Sequence, residues 1–134
     1  MRYEDLKIGM SCSMSKSFSS DEVEAFSKLS MDINPLHLDA GYAEKSMFGK
    51  RIVHGFLTAS LFSAIIGTKL PGEGSIYLKQ GMSFLRPVFH DQWVTATVTV
   101  KELFPEKHRV LLETICKDES GLVLITGTAL VKLP

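Results

Sequence analysis

The amino-acid sequence predicts an α+β fold in which an antiparallel five-stranded sheet wraps around a long central helix. Three observations lead to this prediction. Helical patterns are confined to the first half of the chain, one unusually apolar segment follows them, and the residues after Gly74 alternate between apolar and polar. Strands that follow one another without intervening helices favour antiparallel pairing over a βαβ arrangement. The length of 134 residues suits a single domain, 1–134.

The first predicted elements are a short strand and a capped helix. Residues 12–18 are typical of a strand, and Ser19 or Ser20 is a suitable cap for a helix with an acidic first turn. Apolar residues then recur at intervals of three, which predicts one shared buried face. These residues are Val23, Phe26 and Leu29.

A loop and the long helix follow. Residues 32–39 predict an irregular loop, because the residue before Pro35 is disfavoured in the helical region. A short helix is predicted at residues 39–47 and the long helix at about residues 55–69, ended by Pro71 and the glycine after it. The long helix has little polar face, so we expect a curved sheet to cover most of it.

The second half of the chain predicts four strands in succession. They are residues 76–84, 94–100, 110–116 and 122–131, with a Glu-Ser-Gly turn before the last. An open sheet has two unpaired edges, which proteins usually pair or cover. We therefore expect a homodimer with a continuous sheet.

Composition excludes several classes of function. Fifteen basic and fifteen acidic residues give zero net charge, which argues against a nucleic-acid partner. Cys12 and Cys116 are far apart and form no CxxC pair, and the four histidines show no metal-ligand spacing, so no metal site is expected. The N-terminal residues do not resemble a signal peptide, and the apolar segment is too short and too polar to span a membrane. A cytoplasmic protein without a membrane partner is the prediction.

The loop at residues 32–39 contains the most informative candidates. Asp32 and His37 are five residues apart, a spacing at which a loop is able to direct both side chains into one cavity. A carboxylate and an imidazole together transfer protons near neutral pH. The alternative is structural: Asp32 and Asn34 form local Asx-turn hydrogen bonds while His37 packs beneath them. Spacing alone favours the structural alternative.

Gly55 and the serines of the long helix are weaker candidates. A helix that starts at Gly55 leaves N–H groups free to bind an oxyanion, although the glycine is equally explained by a tight turn. Ser60 and Ser63 lack the G-x-S-x-G context of a serine nucleophile, and His90 and His108 are interpreted as solvated. Several basic residues could contact phosphate, but each is more simply explained as solvated surface. They are Lys50, Arg51, Lys69, Lys79 and Arg86.

Five motifs together resemble a known family. They are S-M-D-I-N-P-L-H-L-D at 30–39, R-I-V-H-G-F-L-T-A-S-L-F-S at 51–63, L-P-G-E-G-S-I-Y-L at 70–78, S-F-L-R-P-V at 83–88 and the closing V-K-L-P. The chain resembles the MaoC-like hydratases over nearly its whole length. More narrowly, it resembles the short monofunctional (R)-specific enoyl-CoA hydratases that supply polyhydroxyalkanoate synthesis. Many members have glycine before the aspartate, where this chain has Met31.

The resemblance implies a hot-dog fold and a homodimer that hydrates trans-2-enoyl-CoA to (R)-3-hydroxyacyl-CoA without a metal, nicotinamide or flavin cofactor. It implies that Asp32 and His37 are the catalytic dyad, that the Gly55 N–H is the donor to the thioester oxygen, and that Asn34 supports the loop. It also implies an acyl pocket. The residues expected to line or cap that pocket are Phe56, Ser63, Ile66 and Val131.

Two alternative functions are compatible with the same fold. An acyl-CoA thioesterase would direct water at the carbonyl carbon and release a free thiol. A non-catalytic acyl-CoA-binding module would use the Asp32/His37 loop only as structure. The paired aspartate and histidine favour the hydratase.

Overall fold

The computed structural model describes all 134 residues, which form one five-stranded antiparallel sheet and four α-helices. The strands are β1 (Ser11–Ser17), β2 (Ile76–Phe84), β3 (Trp93–Phe104), β4 (Arg109–Asp118) and β5 (Val123–Lys132). The helices are α1 (Ser20–Ser30), α2 (Pro35–Leu38), α3 (Ala40–Glu44) and α4 (Gly55–Thr68), with single 3-10 turns at Tyr3–Asp5 and Pro105–Lys107. The predicted α+β class is therefore confirmed.

The strand order is β1-β3-β4-β5-β2, and every neighbouring pair is antiparallel. Alternate residues of β3 are completely buried, because one face of this strand lies against α4. The core side chains are aliphatic or aromatic, and each contributes about 1.5–3 kcal/mol when fully buried. The most buried of them on β3 and α4 are Val94, Val98, Val100, Phe62, Ile65 and Ile66.

Helix α1 begins with the predicted cap but buries a different face. The Ser19 hydroxyl accepts from the Glu22 N–H at 3.2 Å, and the Glu22 carboxylate accepts from the Ser19 N–H at 3.0 Å. Val23 is buried, whereas Leu29 is 85% exposed, so the predicted face is wrong at Leu29. A residue six positions further on is rotated by about 120° around the helix, whereas Ser27, four positions on, returns to the buried side.

The segment predicted as an irregular loop contains the one-turn helix α2. Pro35 is its first residue, a position that requires no backbone donor, and the Asn34 side chain caps it by accepting from the Leu36 N–H at 3.0 Å. The short turn gives residues 32–37 a defined shape and places the buried His37 beneath an exposed Asp32.

The two edges of the sheet differ in chemistry. Strand β1 is mostly polar, whereas most of β2 is exposed on both faces even though it contains large apolar side chains such as Ile76 and Leu78. Strand β2 also approaches β5 unusually closely, since a Cβ added to Gly127 would overlap the carbonyl oxygen of Gly81. No helix of the molecule is long and apolar enough to cross a membrane.

Candidate active site

Asp32 lies on an exposed turn that its own side chain helps to form. One carboxylate oxygen, Oδ1, accepts from the Asn34 N–H at 3.2 Å, and the Asp32 N–H donates to the Ser30 hydroxyl at 3.1 Å. Oδ2 has no partner within the chain. The Asx turns of the structural alternative are thus present, and they leave one oxygen of Asp32 free to contact a ligand.

Met31 adopts the backbone conformation that this turn requires. Its φ of 68° is in the left-handed region, where a glycine is favoured and another residue costs roughly 1–2 kcal/mol. The residue therefore keeps the geometry that a glycine would give more easily. A glycine at position 31 would adopt the same backbone conformation at a lower cost.

His37 is 8% exposed and has a defined tautomer. Its Nδ1 lies 2.8 Å from the carbonyl oxygen of Ile52, an atom that only accepts, so Nδ1 bears the hydrogen. The neutral ring consequently presents Nε2 with a free lone pair. This arrangement suits a group that takes up a proton and gives it back.

The Asp32 carboxylate, a His37 ring nitrogen and a His54 ring nitrogen lie within 4.8 Å of one another. A water molecule forms hydrogen bonds of about 2.8 Å, so one water is able to contact both Asp32 and His37 across this distance. The predicted pair is therefore brought together. The third member, His54, is 2% exposed and was not predicted as a site residue.

The geometry of the two histidines disfavours a shared metal ion. Their rings are stacked, with centroids 3.8 Å apart and planes inclined by 27°. The lone pairs of stacked imidazoles lie in nearly parallel planes, whereas ligands of one metal must converge on it. Nδ1 of His37 is also already bonded to Ile52.

Helix α4 begins directly after His54, next to this cluster. The N–H groups of Gly55, Phe56 and Leu57 have no acceptor, and no side chain caps the helix. A Cβ on Gly55 would lie 2.5 Å from the Phe84 ring, so only glycine fits without displacing that ring. These free N–H groups and the positive end of the helix dipole are suited to an oxyanion.

A mainly apolar cavity of about 410 Å³ reaches this helix start. Gly55 and Phe56 line it together with Phe84, and Arg86 is its one charged residue. Of the other residues predicted for the acyl pocket, Ser63 is exposed on α4, while Ile66 and Val131 are completely or almost completely buried in the core. Those three do not line this cavity, and their roles stay predictions. Neither Asp32 nor His37 lines the cavity. His37 contacts the cavity wall through its hydrogen bond to Ile52.

The interpretation of His90 as solvated is wrong, whereas His108 remains partly exposed. Both ring nitrogens of His90 are buried without a partner, and desolvation, together with the Arg51 charge, lowers the pKa of its ring. His108 stacks on Tyr3 with centroids 4.6 Å apart, and its Nδ1 lies 2.7 Å from the Pro134 carbonyl oxygen. The polar neighbours of His90 in the sequence suggested exposure, but tertiary packing covers its ring nitrogens.

His54 and Ser27 are the site residues that sequence reasoning missed. Nε2 of His54 lies 3.0 Å from the buried Ser27 hydroxyl and 3.2 Å from the main-chain oxygen of Asp32. Burial lowers the pKa of His54, the positive field of His37 lowers it further, and the Asp32 carbonyl opposes both effects. The available signals were a histidine immediately before a helix and a small polar residue one turn after Val23.

Comparison with known proteins places the chain in a family. A model of the MaoC like domain matches residues 6–118. The chain is 47% identical to the (R)-specific enoyl-CoA hydratase of Aeromonas caviae over 100% of both proteins, and 46% identical to that of Rhodospirillum rubrum over 98% and 91% of the two chains.

Solved structures agree with this assignment and with the hot-dog fold. A structure described as an (R)-hydratase from A. caviae involved in PHA biosynthesis has 47% identity and a TM-score of 0.95, covering 98% of this chain and 99% of the other. An R-hydratase of Pseudomonas aeruginosa has 37% identity and a TM-score of 0.93, covering 99% and 85%. Shared sequence and fold together show that the chain belongs to the MaoC-like family.

Proposed function

We propose that the protein is an (R)-specific enoyl-CoA hydratase, which adds water reversibly to trans-2-enoyl-CoA. The observation that supports this proposal most directly is the juxtaposition of the Asp32 carboxylate and the His37 ring within 4.8 Å, beside a helix start with free N–H groups. The relatives with the same activity match the chain from end to end. The enzyme is therefore a hydro-lyase.

The proposed reaction uses both groups of the dyad on one water molecule. Asp32 and His37 bind the water between them, and one of them removes its proton as the oxygen attacks C3. The proton taken from the water is passed within the pair and delivered to C2, so the hydroxyl ends on C3, the hydrogen ends on C2, and both groups return to their starting state. Nδ1 of His37 keeps its hydrogen and donates it to the Ile52 carbonyl throughout, so Nε2 is the nitrogen that exchanges protons.

Negative charge develops on the thioester oxygen as water attacks. The Gly55 N–H, at the start of α4, is the proposed donor to this oxygen, a contact worth about 3 kcal/mol in comparable oxyanion sites. Gly55 also lines the cavity, so a thioester bound there has its acyl or pantetheine portion against apolar walls. Asn34 supports the site by capping α2.

Recognition of coenzyme A depends on local charges, because the chain has no net charge. Among the cations considered, Arg86 lines the cavity, and one of its nitrogens already donates to the Val123 carbonyl at 2.6 Å. That bond fixes the guanidinium and leaves its other N–H groups for phosphate or carbonyl oxygens. Lys50 instead lies over the Phe89 ring at 4.4 Å.

The proposed chemistry requires no metal, nicotinamide or flavin. The absence of a cofactor stays a prediction. Activity that survives exhaustive chelation and is unchanged by added divalent metal would support it. The cytoplasmic location also stays a prediction.

The dyad assignment predicts that Asp32→Asn and His37→Gln each lower the rate of crotonyl-CoA hydration by about 100-fold or more, because each removes a proton-transfer group. Loss of absorbance of the conjugated double bond measures the rate, and chiral analysis of the product gives its configuration. Asp21→Asn, an exposed carboxylate outside the site, is the matched control.

Near-normal hydration by either variant would overturn the dyad. Release of a free thiol by the wild-type protein would instead favour the thioesterase. Thermal stabilisation by acyl-CoA with no change at the double bond would favour a binding module.

We propose further that the protein is a homodimer paired through the β2 edge. Strand β2 has no partner on its outer side, and Ile76, Leu78 and Phe84 are between 41% and 54% exposed along it. Helix α4 also leaves Phe56 and Ser63 uncovered. An exposed apolar edge strand in a monomer is a site of association, so a second copy is the natural cover for it.

The β2 dimer predicts that Leu78→Lys weakens association, because it places a charge within an apolar contact. Sedimentation at micromolar concentration measures the mass. Ser13→Lys, on the polar edge strand β1, is the control and should leave a dimer. A wild-type monomer, or equal effects of both substitutions, would contradict this interface.

A further inference from the structure

His54 lies at the centre of the candidate site, yet the proposed hydration assigns it no step. Its ring contacts three different parts of the site: the Ser27 hydroxyl, the main-chain oxygen of Asp32 and the ring of His37. It is 2% exposed, and Gly55 follows it directly in the chain. A residue with these contacts affects both the dyad and the helix start.

The hydrogen-bond partners determine the tautomer of His54. The Asp32 carbonyl oxygen only accepts, so the Nε2 that lies 3.2 Å from it bears a hydrogen. The Ser27 oxygen, 3.0 Å away, shares the same donor. The remaining nitrogen, Nδ1, is buried with no partner. A proton on Nδ1 would therefore produce a buried cation with no acceptor, against the face of His37.

The same geometry restricts the two members of the dyad. The Nε2–H of His54 anchors the peptide group of Asp32, which fixes the start of the turn that supports its carboxylate. The stacked ring, 3.8 Å away, fixes the plane of His37, while the Ile52 carbonyl fixes one edge of it. Together these contacts define the direction of the His37 Nε2 lone pair.

We infer that His54 is a positioning residue: in its neutral Nε2–H form it aligns Asp32 and His37 for proton transfer, with Ser27 holding its Nε2 edge. The inference rests on the proposed hydration and adds residues to it. His54 itself exchanges no proton with substrate. Its neutrality matters because a cation stacked on His37 would oppose the protonation of that ring.

The kinetic test compares His54→Asn with His54→Gln in the full-length protein. The glutamine amide nitrogen reaches nearly as far as Nε2 of histidine, whereas the asparagine amide is too short to reach the Asp32 oxygen. A displacement of about 1 Å in a catalytic group costs about 100-fold in rate. We expect kcat of His54→Asn to fall by about 100-fold, with KM nearly unchanged. The kcat of His54→Gln should be about tenfold higher than that of His54→Asn. Ser27→Ala should have a smaller effect than His54→Asn.

His108→Asn is the matched control, because His108 packs against Tyr3 outside the cluster and should leave kcat unchanged. A second measurement does not depend on the variants folding. Nitrogen-15 NMR of the wild-type protein at pH 7 should show His54 as neutral Nε2–H and should show a hydrogen on Nδ1 of His37. In folded His54→Asn, His37 should keep its Nδ1–H, because the Ile52 carbonyl still accepts from it, so the loss of rate reports the orientation of the ring rather than its tautomer.

The inference is overturned if His54 is charged or bears its hydrogen on Nδ1 at pH 7. It is also overturned if His54→Asn hydrates crotonyl-CoA within twofold of wild type, or if the loss appears in KM alone. Failure of the wild-type protein to hydrate crotonyl-CoA is a different result, which contradicts the proposed function rather than the role of His54.

Discussion

At the scale of residues, individual contacts determine the geometry of the candidate site. The Ile52 carbonyl selects the Nδ1–H tautomer of His37, and the Asx turn takes one oxygen of Asp32 while leaving the other free. Gly55 adds a steric condition, because its missing side chain allows Phe84 to pack against the start of α4. Each of these effects depends on one neighbouring group and is testable by one substitution.

Gly55→Ala is predicted to lower kcat/KM for enoyl-CoA by about tenfold or more. The new methyl group would lie 2.5 Å from the Phe84 ring, so either the ring or the helix start must move away from the position proposed to bind the thioester oxygen. Phe84→Leu on its own is the control. The double substitution should recover part of the loss, since the smaller side chain makes room for the methyl group. Additive losses would show that Phe84 is not the obstacle.

Helix α1 shows how an element positions a site that it does not enter. Its C-terminal turn supplies Ser27, and Met31 ends the helix immediately before Asp32. The cap at Ser19 fixes the other end, and Lys16 adds an ion pair to Glu22 with a 2.6 Å contact. This exposed pair is expected to add little beyond the cap itself.

Ser19→Ala is predicted to lower the free energy of unfolding by about 1 kcal/mol, because the Glu22 N–H loses its acceptor. Ser20→Ala is the control, since the Ser20 hydroxyl forms no hydrogen bond within the chain and alanine favours a helix. Urea unfolding at fixed protein concentration measures both. Equal values for the two variants would contradict the capping role.

Secondary structure was the most predictable level of the fold. The long helix was predicted within about one residue at each end, and all five strands were expected, because periodicity depends on the local sequence alone. The exposure of Leu29 was mispredicted because a spacing of three residues drifts around a helix. The roles of His54 and Ser27 were missed because they arise from contacts between α1, the loop and α4, which are remote in sequence.

At the scale of the whole molecule, His54 and His90 both lie close to His37, and burial disfavours the charged form of each of these two rings. Desolvation is the main reason that the pKa values of His54 and His90 are lowered. Nδ1 of His54 and both ring nitrogens of His90 are buried without a hydrogen-bond partner, so burial penalises the charged form of each ring. The stability of the fold is therefore linked to pH.

The protein is predicted to lose stability as the pH falls from 7.5 to 5.5. Above a pH of about 6.5 both histidines are neutral whether the chain is folded or unfolded. Below it, the unfolded chain takes up protons that the folded state resists, so the free energy of unfolding decreases towards the lowered folded pKa values.

Urea unfolding at both pH values, with salt and protein concentration fixed, measures this dependence. His90→Phe should flatten it, because the substituted ring does not titrate, and His108→Phe is the comparison. The lowered pKa values of Glu22 and Asp118 act at more acidic pH and leave this interval unaffected. Equal or greater stability at pH 5.5 would contradict the prediction.

The close approach of β2 to β5 at Gly127 has a consequence for how the sequence is able to vary. Any side chain at this position would collide with the Gly81 carbonyl and force the apolar edge strand outward. A library of random substitutions would therefore record Gly127 as intolerant, although it takes no part in the proposed chemistry. Selection for activity would therefore conserve the shape of the sheet edge at this position and, with it, the proposed pairing of two copies.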